Sequence, residues 1–231
     1  MKTQPLTACK QYCHAPALAG HHKATSPTRK PLCGMLRQTD MKLINKIIPL
    51  VLLTIVTSCM APKAISTIES NNYDDKANQT TFTKFPFGSI SIPGKWTKVS
   101  YNQVSRQHNF ENADSVLTAV AINQSSSYPF YKPNMTSNEV VKEFYEWDSK
   151  YLADNIDGTR TIVKQDTVNH FIVWQIKADN EKYKVDNHYL FGSENGIIFT
   201  VFISTKKWTN EQKIEHLQTV YKNKNVGNCC K

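Results

Sequence analysis

The chain has 231 residues and a formal net charge of +9, a balance that by itself would favour a nucleic-acid-binding protein. The charge is unevenly placed: residues 1–40 hold six basic side chains and one acidic one, whereas residues 59–231 hold 20 basic and 18 acidic ones. The near-neutral C-terminal part therefore gives little electrostatic reason to expect a nucleic-acid partner.

Residues 41–59 have the order of charged and apolar residues that is typical of an export signal. Lys42 and Lys46 precede an apolar run over residues 47–56, which is too short for a membrane-spanning helix and suits a cleaved signal peptide. The run ends in Val-Thr-Ser-Cys at residues 56–59, which resembles the bacterial lipobox. This resemblance implies cleavage between Ser58 and Cys59 and lipid attachment to the Cys59 thiol. A buried apolar helix that happens to end in Ser-Cys is the alternative.

The segment before Met41 predicts no structural or metal-binding unit. Its cysteines and histidines match no standard zinc spacing; they are Cys9, Cys13, Cys33, His14, His21 and His22. An export signal starts close to an initiating methionine, and Met41 stands directly before Lys42, with Met35 as the less favoured start. Residues 1–40 are therefore interpreted as a non-native N-terminal extension and residues 41–58 as the signal peptide.

The remainder divides into a tether, one domain and a tail. Residues 59–81 are polar and lack periodicity, which predicts a flexible tether. Residues 82–225 are long enough for a single domain with its own core, and they contain no cysteine. Residues 226–231, which include Cys229 and Cys230, are predicted to be a disordered tail.

The first part of the domain has the periodicity of β-strands. Apolar residues alternate over residues 82–92, and Pro93-Gly94 then indicates a turn. Short strands are expected at 98–104 and 106–111. The strand at 115–122 is apolar or small on both faces, which predicts that it is covered on both sides.

A helix is predicted next, because Thr136 and Glu139 have the spacing of a capping box. Apolar residues then recur at intervals of three and four, as in the buried stripe of an amphipathic helix: Val140, Val141, Phe144, Trp147 and Tyr151. The helix is expected to end near residue 155. Its acidic residues are interpreted as a solvated face: Glu139, Glu143, Glu146 and Asp148.

Four strands and a second helix complete the domain. Residues 159–168 resemble an edge strand, and residues 171–176 and 197–203 are apolar on both faces. Residues 182–191 alternate between an apolar face and a polar face that includes His188, so only one face is expected to be buried. Thr209 and Gln212 form a second capping box. Antiparallel strands buried on both faces require cover on both sides, which predicts an α+β fold, an α/β/α sandwich on a mainly antiparallel sheet.

The order of these elements resembles a known family. Residues 87–96, Phe-Gly-Ser-Ile-Ser-Ile-Pro-Gly-Lys-Trp, precede a two-faced strand, a capped helix, a four-strand meander and a C-terminal helix. This resembles the PsbP-like domains, which include DcrB-type bacterial lipoproteins, over about residues 87–224. The resemblance implies a role in binding or stabilising protein complexes, and it supplies no shared set of catalytic residues.

No catalytic, metal-binding or cofactor-binding motif is recognisable in the domain. Its four histidines are interpreted as solvated or core side chains: His108, His170, His188 and His216. We therefore expect no catalytic residues, no metal and no cofactor, and hence no enzyme.

The 13-residue segment 123–135 is long for a loop in a compact domain and carries Tyr128, Phe130 and Tyr131. These aromatic residues suit a binding surface, and the alternative is that they pack onto the sheet or the following helix. The sequence thus favours a lipid-anchored, non-catalytic module of the bacterial cell envelope that binds or assembles proteins. Its expected partners are the lipid bilayer, through acylated Cys59, and an unknown envelope protein. An envelope enzyme or small-ligand carrier with a site between helix and sheet is the alternative.

Overall fold

The computed structural model describes residues 65–227, which form strands, two helices and a short 3-10 turn. The first half contains β1 (Ile68–Asp74), β2 (Gln79–Phe85), β3 (Gly88–Pro93), β4 (Thr97–Asn102), β5 (Gln107–Glu111), β6 (Leu117–Gln124) and the 3-10 turn (Ser125–Ser127). The second half contains α1 (Ser137–Ile156), β7 (Thr159–Asp166), β8 (Phe171–Asp179), β9 (Lys184–Glu194), β10 (Ile197–Ser204), α2 (Asn210–Lys222) and β11 (Lys224–Val226). Neither helix is long and apolar enough to cross a membrane within these residues.

The strands form two sheets. A seven-stranded sheet has the order β4-β5-β6-β10-β9-β8-β7, and a four-stranded sheet has the order β1-β2-β3-β11. Neighbouring strands in both sheets are antiparallel. The prediction of an α+β fold with mainly antiparallel sheets is confirmed, as is the meander over β7 to β10.

The predicted tether is wrong over its described part, because β1 and the first three residues of β2 lie within residues 68–81. All seven residues of β1 pair with β2, from Ile68 opposite Phe85 to Asp74 opposite Gln79. The strand β1 is held by backbone hydrogen bonds and is almost wholly exposed, so its sequence carries no apolar alternation. Residues 1–64, which include the extension, the signal and the start of the tether, lie outside the described residues.

The predicted tail also begins later than expected. Residues 224–226 form β11, and Val226 pairs with Gly88 of β3. Residues 228–231, with both tail cysteines, lie outside the described residues.

The central strands of the seven-stranded sheet are buried on both faces, whereas the edge strands β4 and β7 are mostly exposed. In β8, Phe171 and Val173 face one hydrophobic cluster, and Ile172, Trp174 and Ile176 face another. Apolar residues of α1 complete the second cluster, whereas α2 and the strands β2 and β3 complete the first. The helices thus contribute to opposite clusters, and the four-stranded sheet beside α2 is a feature that the sequence did not predict.

The predicted polar face of β9 is only partly correct. Asp186 is exposed, but His188 is fully buried on the same face. It pairs with Ile203 of β10 and Gln175 of β8. Burial lowers the pKa of His188, and the nearby charge of Lys213 of α2 lowers it further. Cover by α2 explains the burial, and strand alternation alone cannot report where a distant helix lies.

Both capping boxes are present. The Thr136 hydroxyl accepts a hydrogen bond from the Glu139 N–H (3.3 Å), and the Thr136 N–H donates to Glu139 Oε2 (2.7 Å). Thr209 and Gln212 make the same reciprocal pair at the start of α2.

Thr136→Ala is expected to lower the free energy of unfolding by about 1 kcal/mol, because the substitution leaves a backbone donor of the first turn without its acceptor. Urea unfolding followed by circular dichroism measures the loss. Thr136→Ser keeps the hydroxyl and is the matched control. An unchanged midpoint in the alanine variant would contradict a stabilising cap.

Candidate functional site

The loop after β6 folds back onto α1. The Tyr128 ring lies 5.0 Å from the Phe144 ring and 5.6 Å from the Phe130 ring, measured between centroids. Phe144 is buried and contacts Phe191 of the sheet at 4.5 Å. Tyr131 is also half-buried against this cluster, and its N–H donates to the Tyr128 carbonyl oxygen (3.1 Å). The three loop aromatics therefore pack against the helix that follows the loop, as the alternative interpretation expected.

A fourth ring extends the loop aromatics to the surface. Trp147 of α1 lies 5.6 Å from Tyr128 and 6.1 Å from Phe130, yet its side chain is 44% exposed. Tyr151, one turn further along α1, is 52% exposed. We call Tyr128, Phe130 and Trp147 the aromatic surface.

The assignment of Trp147 and Tyr151 to the buried stripe of α1 is wrong. The buried face of the helix instead follows Val141, Tyr145 and Ser149. Periodicity groups residues on a face of the helix, but the loop aromatics pack beside Trp147 and leave its outer side open. Only the tertiary fold sets this boundary.

A chain of polar contacts supports Tyr128 from behind. Asn123 Nδ2 donates to the Tyr128 hydroxyl (3.1 Å), and Lys84 Nζ donates to Asn123 Oδ1 (3.2 Å). Lys84 Nζ lies 3.4 Å from Glu69 Oε1, and His108 Nε2 lies 3.2 Å from Glu69 Oε2. We call these five residues the polar network. It joins the β1–β2 hairpin to the aromatic surface.

His108 is the most buried ionisable group of the polar network. Its imidazole lies between the rings of Phe82 (4.3 Å) and Tyr101 (4.6 Å) and is 2% exposed. Burial lowers the pKa of His108, and the opposing effect of the Glu69 carboxylate is smaller. The imidazole is therefore neutral near pH 7, which fits a packed core side chain better than a proton-transfer group.

Sequence reasoning missed most of the polar network. Lys84 follows Thr80 and Phe82 on the buried side of β2, but part of this strand fell within the predicted tether. The alternation of Thr80, Phe82 and Lys84 was the available signal. Lys84 obscured this alternation, because lysine is rarely buried without a partner and is therefore interpreted as an exposed residue.

Asp148 contradicts its assignment to a solvated face. It is half-buried beside Tyr128, whose pKa its charge helps to raise, and burial raises the pKa of Asp148 itself to about 7. Within residues 65–227 no hydrogen bond or ion pair reaches the Asp148 carboxylate. The other acids of α1 follow the prediction, since Glu139, Glu143 and Glu146 are exposed.

The remaining histidines are packed rather than clustered. His170 Nδ1 lies 3.0 Å from Asn138 Oδ1. His216 contacts the rings of Trp96 (5.5 Å) and Trp208 (5.2 Å), and burial lowers the pKa of His216 to about 4. No three His, Cys, Asp or Glu residues are placed to hold a metal ion within the described range. Ser58 and Cys59 lie outside that range.

Two surface clefts lie away from the aromatic surface. One, of about 590 Å³, is lined by Asn71 of β1 and residues 96–101 around β4. The other, of about 540 Å³, is lined by residues of β2, β3 and β11 and their connections. Neither cleft is lined by a helix residue.

Comparison with known proteins gives a distant structural similarity and no match by sequence family. No protein-family model matches the chain, and no curated protein matches it. The solution structure of cyanobacterial PsbP (CyanoP) from Synechocystis sp. PCC 6803 is similar, with a TM-score of 0.43 and 13% sequence identity, over 74% of this chain and 99% of that one. At this identity and TM-score, the similarity assigns neither a function nor a partner to this chain.

Asp148→Asn is expected to stabilise the protein at about pH 8 and to have little effect at about pH 4. Burial raises the folded-state pKa to about 7, above an unfolded value near 4, so deprotonation increasingly costs folding free energy as pH rises between them. We expect a gain of about 1–3 kcal/mol at the higher pH, reduced from the full shift because the side chain is only half-buried.

Urea unfolding at both pH values measures this gain. Glu143→Gln, which removes an exposed acid from the same helix, is the control and should show no such pH dependence. An equal gain at both pH values would mean that ionisation of Asp148 is not the cause.

Proposed function

We propose that this chain is a lipid-anchored, non-catalytic binding module of the bacterial cell envelope, built on a PsbP-like (DcrB-type) domain. In this proposal Cys59 carries the lipid, palmitate being one of its acyl chains, and holds the protein to a membrane. The domain then engages an envelope protein through the aromatic surface.

The observation that carries the binding role is the exposed Trp147 on a rigid support. Its ring contacts Tyr128, Phe130 and Phe144, and Phe144 in turn contacts the sheet. A ring already held in one position loses little conformational entropy when a partner covers it. Tryptophan and tyrosine are also the residues most enriched among those that dominate binding energy.

The anchor is supported by the signal at residues 41–59, where a charged start, an apolar run and a lipobox follow in order. The hairpin shortens the predicted tether, because β1 begins at Ile68. Nine residue steps from Cys59 to Ile68 span at most about 30 Å. The domain would therefore lie close to the lipid headgroups, where an envelope partner in the same membrane is within reach.

The alternative of an enzyme or carrier with a site between helix and sheet gains no support from the packing of α1. Phe144 lies 4.5 Å from Phe191, and Trp174 stacks on Tyr189 at 4.5 Å beneath the helix. These rings fill the space that such a ligand would need.

Cys59→Ser is expected to move the protein from the membrane fraction to the soluble fraction and to abolish incorporation of an alkyne-labelled palmitate. The substitution removes the thiol that would accept the lipid. Ser58→Ala, which keeps a small residue before the cysteine, is the matched control. Continued lipid labelling of the serine variant would contradict the anchor assignment.

Trp147→Ala is expected to reduce partner capture, measured by crosslinking in intact cells followed by mass spectrometry. Val99→Ala is the control, because Val99 is 49% exposed and lies on β4, away from the aromatic surface. Thermal unfolding of both variants verifies that the domain still folds. The same crosslinked protein at undiminished yield from the folded Trp147 variant would contradict binding at the aromatic surface.

A further inference from the structure

The helix that carries Trp147 is acidic, although residues 59–231 are nearly neutral, with 20 basic and 18 acidic side chains. Residues 137–156 contain five acidic and two basic side chains. A local negative surface favours a partner segment of positive charge and disfavours an acidic one.

Three of these acids already have described partners. Glu146 pairs with Arg160 at 2.9 Å, Asp154 pairs with Lys150 at 2.7 Å, and Glu139 belongs to the capping box. Within the part of the chain that the structure describes, no ion pair reaches Glu143 or Asp148. These two acids flank the exposed indole, one turn before Trp147 and directly after it.

On another side, the same helix binds an arginine side chain through an aromatic ring and an acidic side chain. The Arg160 guanidinium of β7 lies 5.3 Å from the centroid of the Tyr145 ring, and its Nη2 donates to Glu146 Oε2 (2.9 Å). Its Nη1 also donates to Ser149 Oγ (2.7 Å). An aromatic residue, the acid that follows it and a hydroxyl one turn later thus hold a guanidinium.

Trp147, Asp148 and Tyr151 repeat this spacing of aromatic residue, acid and hydroxyl. Arg106 is the basic residue whose charge reaches Tyr128. Its guanidinium donates a hydrogen bond to Ser127 Oγ (3.4 Å) and makes no ion pair with Asp148. Trp147, Asp148 and Tyr151 therefore have the same kinds of side chain as the set that binds Arg160, but no cation of the described residues lies against them. Indole faces attract cations more strongly than phenol faces do.

We propose that the aromatic surface docks a basic segment of a protein partner, with an arginine or lysine side chain over the Trp147 indole and its charge paired with Asp148 and Glu143. This rests on the proposed function and names the chemistry of the partner. In the free protein no counter-charge from the described residues pairs with the Asp148 carboxylate. In the complex the bound cation supplies one, and this ion pair offsets the cost of burying the carboxylate.

The test follows indole N–H signals by nuclear magnetic resonance in the ¹⁵N-labelled full chain carrying Cys59→Ser, so that the anchor does not enter the probe vesicles. The chain has four tryptophans, and among them Trp174 is fully buried. A synthetic Gly-Arg repeat peptide is the probe, with Gly-Ser and Gly-Glu repeats of equal length as controls. We expect the Gly-Arg peptide to shift the Trp147 signal, to leave Trp174 in place, and to bind more weakly as salt is raised.

Asp148→Asn and Glu143→Gln are each expected to weaken binding of the Gly-Arg peptide by about two- to fivefold. Glu211→Gln, which removes an exposed acid from α2, should leave the affinity unchanged. Equal shifts with the Gly-Ser peptide, unchanged affinity in both acid variants, or a Trp147 shift produced only by phosphatidylcholine vesicles would each overturn the proposal.

Failure here is distinguishable from failure of the proposed function. If crosslinking requires Trp147 but the Gly-Arg peptide does not bind, the surface is a docking site for a partner of other chemistry, and the basic-segment proposal is wrong. If the peptide binds but crosslinking is independent of Trp147, the proposed function fails at this surface.

Discussion

The structure depends on a seven-stranded sheet whose central strands are apolar on both faces. Successive residues of β8 point to opposite sides, and water must be excluded from each side separately. One side is closed by α1 and the loop before it, and the other by α2 with the four-stranded sheet. The β1–β2 hairpin, both capped helices and the folded-back loop all serve this requirement.

The aromatic surface is a consequence of how the α1 side is closed. The helix alone does not cover the outer part of that face, so Tyr128 and Phe130 fill the margin against Phe144. Trp147 lies on the outside of this filling and keeps nearly half of its surface exposed. The rings that complete the core on the α1 side therefore also form the candidate binding surface.

The polar network links the two sheets at this margin. Lys84 reaches from the four-stranded sheet to Asn123 of the seven-stranded one, and Asn123 holds the Tyr128 hydroxyl. Both Lys84 and Asn123 are buried, so their polar atoms need partners within the protein, and each supplies one to the other. The position of the loop is thus set from the hairpin side as well as from α1.

The sequence by itself determined the features that depend only on residues close together in the chain. Thr136 and Thr209 each stand three residues before a partner that closes a cap, and the apolar runs of β6, β8 and β10 identify strands buried on both faces. The loop at residues 123–135 and its aromatics were also readable, because length and composition are local properties. The order of strands in the meander followed from short connections.

Only the tertiary structure decided which side chains the distant elements cover. The hairpin strand β1 is polar and is held by backbone bonds that no side-chain pattern reports. His188 is buried because α2 lies over it, and Asp148 is half-buried beside the loop. Trp147 is exposed because no other residue of the described range covers its outer side. Periodicity gives the direction in which a side chain leaves its own element, whereas burial depends on what another part of the chain places there.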